Sequence, residues 1–129
     1  MIPRYRAWNK VTKEMYEVDD IMSIDFGESK ISVKTLFFER TNYYDFNDIV
    51  LMQSTGLLDN NGKEIFEGDI IESRDGFLTG VIEFRVGLGM FVSELVEYNN
   101  FERLCNIANS REIIGNVHAN PELLEDQDS

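Results

Sequence analysis

Residues 51–71 read LMQSTGLLDNNGKEIFEGDII, and the glycines in it, Gly56, Gly62 and Gly68, constrain this chain more than any other feature. They stand at an even spacing, with Leu, Ile and Phe between them. Such punctuation can cradle a phosphate, hold a calcium ion or turn corners in a small sheet. A calcium loop fails on ligand chemistry. With Asp59, Asn61 and Gly62 at the third, fifth and sixth loop positions, Leu57 and Gly68 fall where the outer carboxylates are needed, and a loop starting at Asp59 puts Lys63 at a ligand position. A phosphate cradle fails on spacing, because the glycines are too far apart for GxGxxG and no Gly-Lys-Ser/Thr follows. Corners remain. Asn61-Gly62 reads as a two-residue hairpin turn of type I′, whose central positions both need positive φ. Its arms are LLD and EIF. Gly68-Asp69 makes a second reversal before a strand expected to begin at Ile70, and Gly56 breaks the preceding apolar segment.

The rest of the chain has the same texture. Tyr5–Trp8 and MYEV flank the polar KVTK and predict an N-terminal hairpin; IMSID and ISVKTLFF flank FGESK and predict a second. ERTNYYDFND has no clean period, and IVLMQ fits either a strand or one helical turn. DIIES, GVIEF, GMFVSELVEY and REIIGNV read as further strands. Phe101, Leu104, Cys105 and Ala108 fall at i, i+3, i+4 and i+7, which predicts a brief helix. Asn120-Pro121 predicts a capped helix at the C-terminal end. Short strands with turn signals at close intervals predict a mainly β fold, a small barrel or sandwich.

Length and composition set bounds. The 129 residues suffice for one domain with a proper core, and 43% hydrophobic with 28% charged residues is ordinary globular usage. No apolar run approaches a membrane span, and MIPRYRAWNK lacks the apolar stretch of a signal peptide, so a cytoplasmic protein is expected. The single cysteine, Cys105, excludes an intramolecular disulfide and is expected to be a half-buried small hydrophobe. With 12 Lys+Arg against 24 Asp+Glu the net charge is −12, which repels nucleic acid and anionic membranes at long range. The charge is unevenly spread, however. Arg4, Arg6, Lys10 and Lys13 give the first 13 residues +4, leaving −16 on the remainder.

Chemistry-bearing groupings are few. His118 is the only histidine, and neither it nor Cys105 lies in a nucleophile signature, so no catalytic, metal or cofactor residue is assigned. The strongest binding candidate is the N-terminal arm, where Arg4, Tyr5, Arg6 and Trp8 combine guanidinium and aromatic groups able to stack on bases or grip anions. The structural alternative places Tyr5 and Ala7 on a core face, with Arg4, Arg6 and Trp8 on the other face neutralising the acidic body.

Three landmarks together resemble the YopX-like proteins of bacteriophages and prophages: Tyr5-Arg6-Ala7-Trp8, the block Leu51–Ile71, and IIGNVHANPELLE at Ile113–Glu125. Tyr5 stands where Phe is commoner, and His118-Ala119 where an aromatic–Glu pair is usual, which weakens any family role for His118. The resemblance implies an N-terminal β segment, expected over 1–54, and an SH3-like barrel, expected over 55–125; the acidic residues of the last stretch predict a frayed tail at 126–129. The resemblance implies no enzymatic activity and no cofactor. The expected function is a non-enzymatic accessory protein that binds a protein partner or forms a homo-oligomer. A nucleic-acid role is the alternative, either as an acidic DNA mimic or as a single-strand binder through the N-terminal arm.

Overall fold

The computed structural model describes residues 4–34 and 40–125. The chain is mainly β and divides into two compact units, Met1–Gln53 and Ser54–Ser129.

In the first unit, β1 (Tyr5–Asn9) lies between β2 (Glu14–Tyr16) and β6 (Ile49–Leu58), with Ala7 opposite both Tyr16 and Leu51. The β1–β2 hairpin closes on a buried asparagine. Asn9 Oδ1 accepts the N–H groups of Val11 and Thr12 at 2.9 and 3.0 Å, and Asn9 Nδ2 donates to the Tyr16 hydroxyl at 3.0 Å. Beside this ladder, β3 (Ile21–Asp25), β4 (Lys30–Lys34) and β5 (Thr41–Asp45) form a second antiparallel sheet. Ala7, Tyr16, Ile31, Val33 and Ile49 make the core, and the Tyr16 and Tyr44 rings stack at 5.5 Å. Both expected hairpins are present, although Thr35–Phe38 of the second lie outside the described residues. The two ambiguous stretches resolve as β5 and as the start of the ten-residue β6, with a 3-10 turn at Phe46–Asp48 between them.

The second unit takes the end of β6, β7 (Glu64–Phe66) and a curled five-stranded antiparallel sheet in the order β11-β10-β9-β8-β12. Its strands are β8 (Asp69–Ser73), β9 (Thr79–Arg85), β10 (Met90–Leu95), β11 (Phe101–Arg103) and β12 (Arg111–Asn116). The four-residue helix α1 (Leu104–Ile107) and a 3-10 turn at Ala108–Ser110 connect β11 to β12. Ile65, Ile71, Ile82, Leu104 and Ala108 form the core. Burying each of the three isoleucines and the leucine stabilises the unit by roughly 1.5–3 kcal/mol, before the entropy of ordering them is subtracted.

Several expectations need correction. The helix expected over Phe101–Ala108 is a short strand followed by one helical turn: Leu104 and Ala108 do face the core, but Cys105 is exposed rather than half-buried. The C-terminal helix is a 3-10 turn, Pro121–Leu124, and the Asn120 carboxamide does not cap it; its Oδ1 instead accepts the Asn116 N–H at 3.2 Å.

The turn at Asn61-Gly62 also differs. Gly62 has φ +79°, while Asn61 is not among the positive-φ residues, so the turn is not type I′. The Gly62 N–H donates to the Asp59 carbonyl at 3.0 Å and the Asp59 N–H to the Lys63 carbonyl at 2.8 Å, giving a three-residue loop with a left-handed glycine at its end. The selecting group is the buried Asp59 carboxylate. Its Oδ1 accepts the N–H groups of Asn61 and Lys63, both at 2.9 Å, which folds the chain into ordinary right-handed turn conformations before Gly62. Gly56 and Gly68 also have positive φ, 77° and 84°, and β8 begins at Asp69, whose Oδ2 accepts the Phe66 N–H at 2.8 Å. At Gly56, β6 slips register between Ser54 and Leu58, and the Thr55 hydroxyl donates to the Ile65 carbonyl at 2.7 Å across the irregularity.

Candidate functional site

The N-terminal arm is not an open binding face. Arg4 is exposed, and Tyr5 is half-buried with its ring edge-on to Phe26 at 6.2 Å, but Arg6 and Trp8 are buried. β1 is an inner strand with neighbours on both sides, and its burial runs through four consecutive residues instead of alternating. Neither the exposed RYRAW face nor the arrangement with Arg6 and Trp8 on an outer face describes this strand.

A different surface gathers the features that binding requires, at one end of the five-stranded sheet. Antiparallel pairing brings three connections there. The β8–β9 loop leaves Ser73 and returns at Thr79; the β10–β11 loop leaves Leu95, whose partner is Gly80; and β12 enters at Arg111, opposite Ser73. The Val96 N–H donates to the Thr79 carbonyl at 2.9 Å, tying two of these loops together. Ser73, Arg74, Asp75, Asn109, Ser110 and Arg111 line an open cavity of about 580 Å3.

Local hydrogen bonds set the shape of this end. The Ser73 hydroxyl donates to Asp75 Oδ1 at 2.6 Å and accepts the Leu78 N–H at 2.9 Å, while the Phe77 N–H donates to the same Asp75 oxygen at 3.0 Å. These bonds, the Ser73 hydroxyl first, hold the Asp75 carboxyl below its ordinary range, so it is ionised at neutral pH. Phe77 is 74% exposed, and on the neighbouring loop Tyr98 is 52% and Val96 37% exposed.

Arg111 is fixed differently. Its Nη2 donates to both Glu102 carboxylate oxygens at 3.0 and 3.1 Å, and its Nη1 to the Ser110 hydroxyl at 2.9 Å. Glu102 lies on β11 and Arg111 on β12, the two outer strands of the sheet, so this ion pair joins the sheet's opposite edges on the cavity side. The arginine side chain is only 12% exposed, which removes much of the solvent screening that makes surface pairs weak.

The remaining sequence candidates lie elsewhere. Gly56, Asn61, Gly62, Gly68 and Asp69 belong to the β6–β7–β8 turns described above. Cys105 Sγ donates to the side chain of its neighbour Asn106, and the His118 backbone N–H donates to Asn116 Oδ1 within a C-terminal turn. Sequence reading missed the cavity because it joins residues nearly forty positions apart. The one local signal was an aromatic residue, Phe77, directly after the Arg74-Asp75-Gly76 turn. Among the described residues, no group of three or more His, Cys, Asp and Glu is placed to hold a metal ion, and no helix is long and apolar enough to cross a membrane.

Comparison with known proteins bears on the whole chain. The family model described as YopX protein matches residues 4–125. The crystal structure of protein EF1440 from Enterococcus faecalis is 31% identical, covers 97% of this chain and 99% of its own, and superposes with a TM-score of 0.66. The crystal structure of protein yopX from Bacillus subtilis is 24% identical, with coverage of 95% and 98% and a TM-score of 0.63. No curated protein matches the chain.

Proposed function

The chain belongs to the YopX family, and on that footing we propose that it is a non-enzymatic phage or prophage accessory protein of the bacterial cytoplasm. It acts by binding a protein partner through the loop end of the five-stranded sheet. One observation carries this reading: the two loops that carry exposed Phe77, Val96 and Tyr98 leave the same end of the five-stranded sheet, the end at which Ser73, Arg74, Asp75 and Arg111 line an open cavity. Scattered exposed hydrophobics are normal on any protein, whereas aromatic residues exposed on adjacent loops beside charged groups match the composition of an interface.

An SH3-like description of the second unit is part of the same proposal. It is supported by five antiparallel strands in the order β11-β10-β9-β8-β12, with a single turn of helix before the last strand closes against the first. In barrels of that kind, loops at the sheet end present aromatic groups to extended segments.

The test is partner capture from infected cells with the wild-type chain and with the double variant Phe77→Ser/Tyr98→Ser. Because both residues are exposed, the melting temperature is expected to hold within about 2 °C, while the captured set loses its main member. An unchanged set would refute the assignment of this surface. A second copy of the chain as partner predicts a dimer by light scattering that the double variant abolishes.

The net charge of −12 favours one further reading, an acidic DNA mimic that occupies a DNA-binding protein. Its signature would be a DNA-binding protein in the captured set, released by added DNA. Direct single-strand binding through the N-terminal arm is weakened by the burial of Arg6 and Trp8.

A further inference from the structure

We infer that the segment docking on this loop end is cationic: an extended stretch of partner protein carrying arginine or lysine beside aliphatic residues. The inference rests on the protein-binding reading above and adds the chemistry of the ligand.

The charges of this end do not cancel. Arg111 is matched by Glu102, which leaves Arg74 as the local cation against Glu72, Asp75, Glu97 and Glu112. Glu72 and Glu112 sit directly opposite each other on β8 and β12. Like charges in that register repel, and neither carboxylate is in an ion pair among the described residues; Glu112 Oε1 accepts only a carboxamide N–H, from Asn61 Nδ2 at 3.2 Å. A cation placed between them would relieve the repulsion. The Glu72 carboxylate also borders the aromatic loop, since a Cβ on Gly76 would lie 3.9 Å from its Oε1.

Exposed aromatic faces beside carboxylates are the usual recognition elements for guanidinium and ammonium groups. The same sheet already uses this chemistry internally. Arg85 lies over the Phe101 ring, 4.3 Å from its centroid, and pairs with Glu83 and Glu94. At the loop end exposed rings occur on loops where carboxylates outnumber cations, Arg74 being the one guanidinium of the cavity lining besides the paired Arg111. An acidic segment or a nucleic acid would meet repulsion both locally and from the net charge of −12.

The experiment selects random dodecapeptides displayed on filamentous phage against the full chain, with Phe77→Ser/Tyr98→Ser as counter-selection. Enriched peptides are expected to carry an excess of arginine or lysine and to bind less tightly as salt is raised. The double variant Glu72→Gln/Glu112→Gln, its fold checked by melting, should weaken the best synthetic peptide by about ten-fold. Enrichment of neutral or acidic peptides that still depend on Phe77 and Tyr98 would overturn the inference and leave the protein-binding reading standing. Absence of any peptide that discriminates the chain from the counter-selected variant would sink both.

Discussion

Asp59 offers the sharpest test of how this fold is held. Its carboxylate accepts three backbone N–H groups, those of Asn61 and Lys63 in the β6–β7 loop and that of Ile113 on β12 at 3.0 Å, and the residue is 5% exposed. Two bonds therefore shape the loop and the third ties it to a strand more than fifty residues later. Asp59→Asn keeps the shape and one acceptor oxygen, but removes the charge and sets an NH2 group against an N–H donor. Hydrogen bonds to a charged group contribute about 1.5–3 kcal/mol each; with two of the three in a partly solvated turn, the loss should total roughly 2–3 kcal/mol. At about 4 °C per kcal/mol for a chain of this size, the melting temperature should fall by about 8–12 °C near neutral pH.

The pH dependence provides a second readout. Burial pushes the Asp59 carboxyl up, but the N–H groups of Ile113, Lys63 and Asn61 and the charge of Lys63 together outweigh it, leaving the group below its ordinary 3.8. A carboxylate depressed in the folded state contributes stability that is complete above the unfolded pKa and lost as pH falls through the folded one. The gap between wild type and Asp59→Asn should therefore be widest near neutrality and narrow below pH 3.8. Thermal melts followed by circular dichroism decide the matter. A variant melting within a degree or so of wild type, or a gap that persists unchanged into acid, would refute the role given to the carboxylate.

Other perturbations follow from the same structure. Gly62→Val should lower stability by about 1–2 kcal/mol, because its positive φ strains a β-branched residue although no neighbour lies within 4 Å of the added Cβ; an unchanged melting curve would count against the loop geometry. Gly80→Ala should also destabilise, since its Cβ would clash with the Ser93 hydroxyl oxygen and crowd the Glu94 carbonyl, and Ser93→Ala in the same chain should recover part of the loss in a double-mutant cycle. Cys105 is exposed, so a thiol reagent such as Ellman's should titrate it fully without denaturant, and a thiol that reacts only after unfolding would contradict its placement.

The mainly β character and most strand positions were legible because β-branched and aromatic residues recur between turn signals, as at Ile31–Val33 and Ile70–Ile71. The turn at Asn61-Gly62 was located but mistyped, because local propensity favours type I′ whereas the Asp59 side chain selects the longer loop. Spacing misled at Phe101–Ala108. A helical period in so short a stretch cannot reveal that its first three residues are claimed by β10 as an edge strand. Burial of Arg6 and Trp8 was equally invisible, since alternation describes a strand with one open face and β1 has none. The loop-end cavity depends on pairing between distant segments, which a linear reading of Ser73–Asp75 or Asn109–Arg111 cannot supply.

The ten-residue β6 has a consequence for how such a chain can be inherited. Up to Gln53 its ladder partner is β1, and from Ser54 it is β7, so the exchange of partner coincides with the boundary between the two compact units. Two related genes crossing over at that codon would each pass on complete ladders, with no half-strand orphaned in the hybrid.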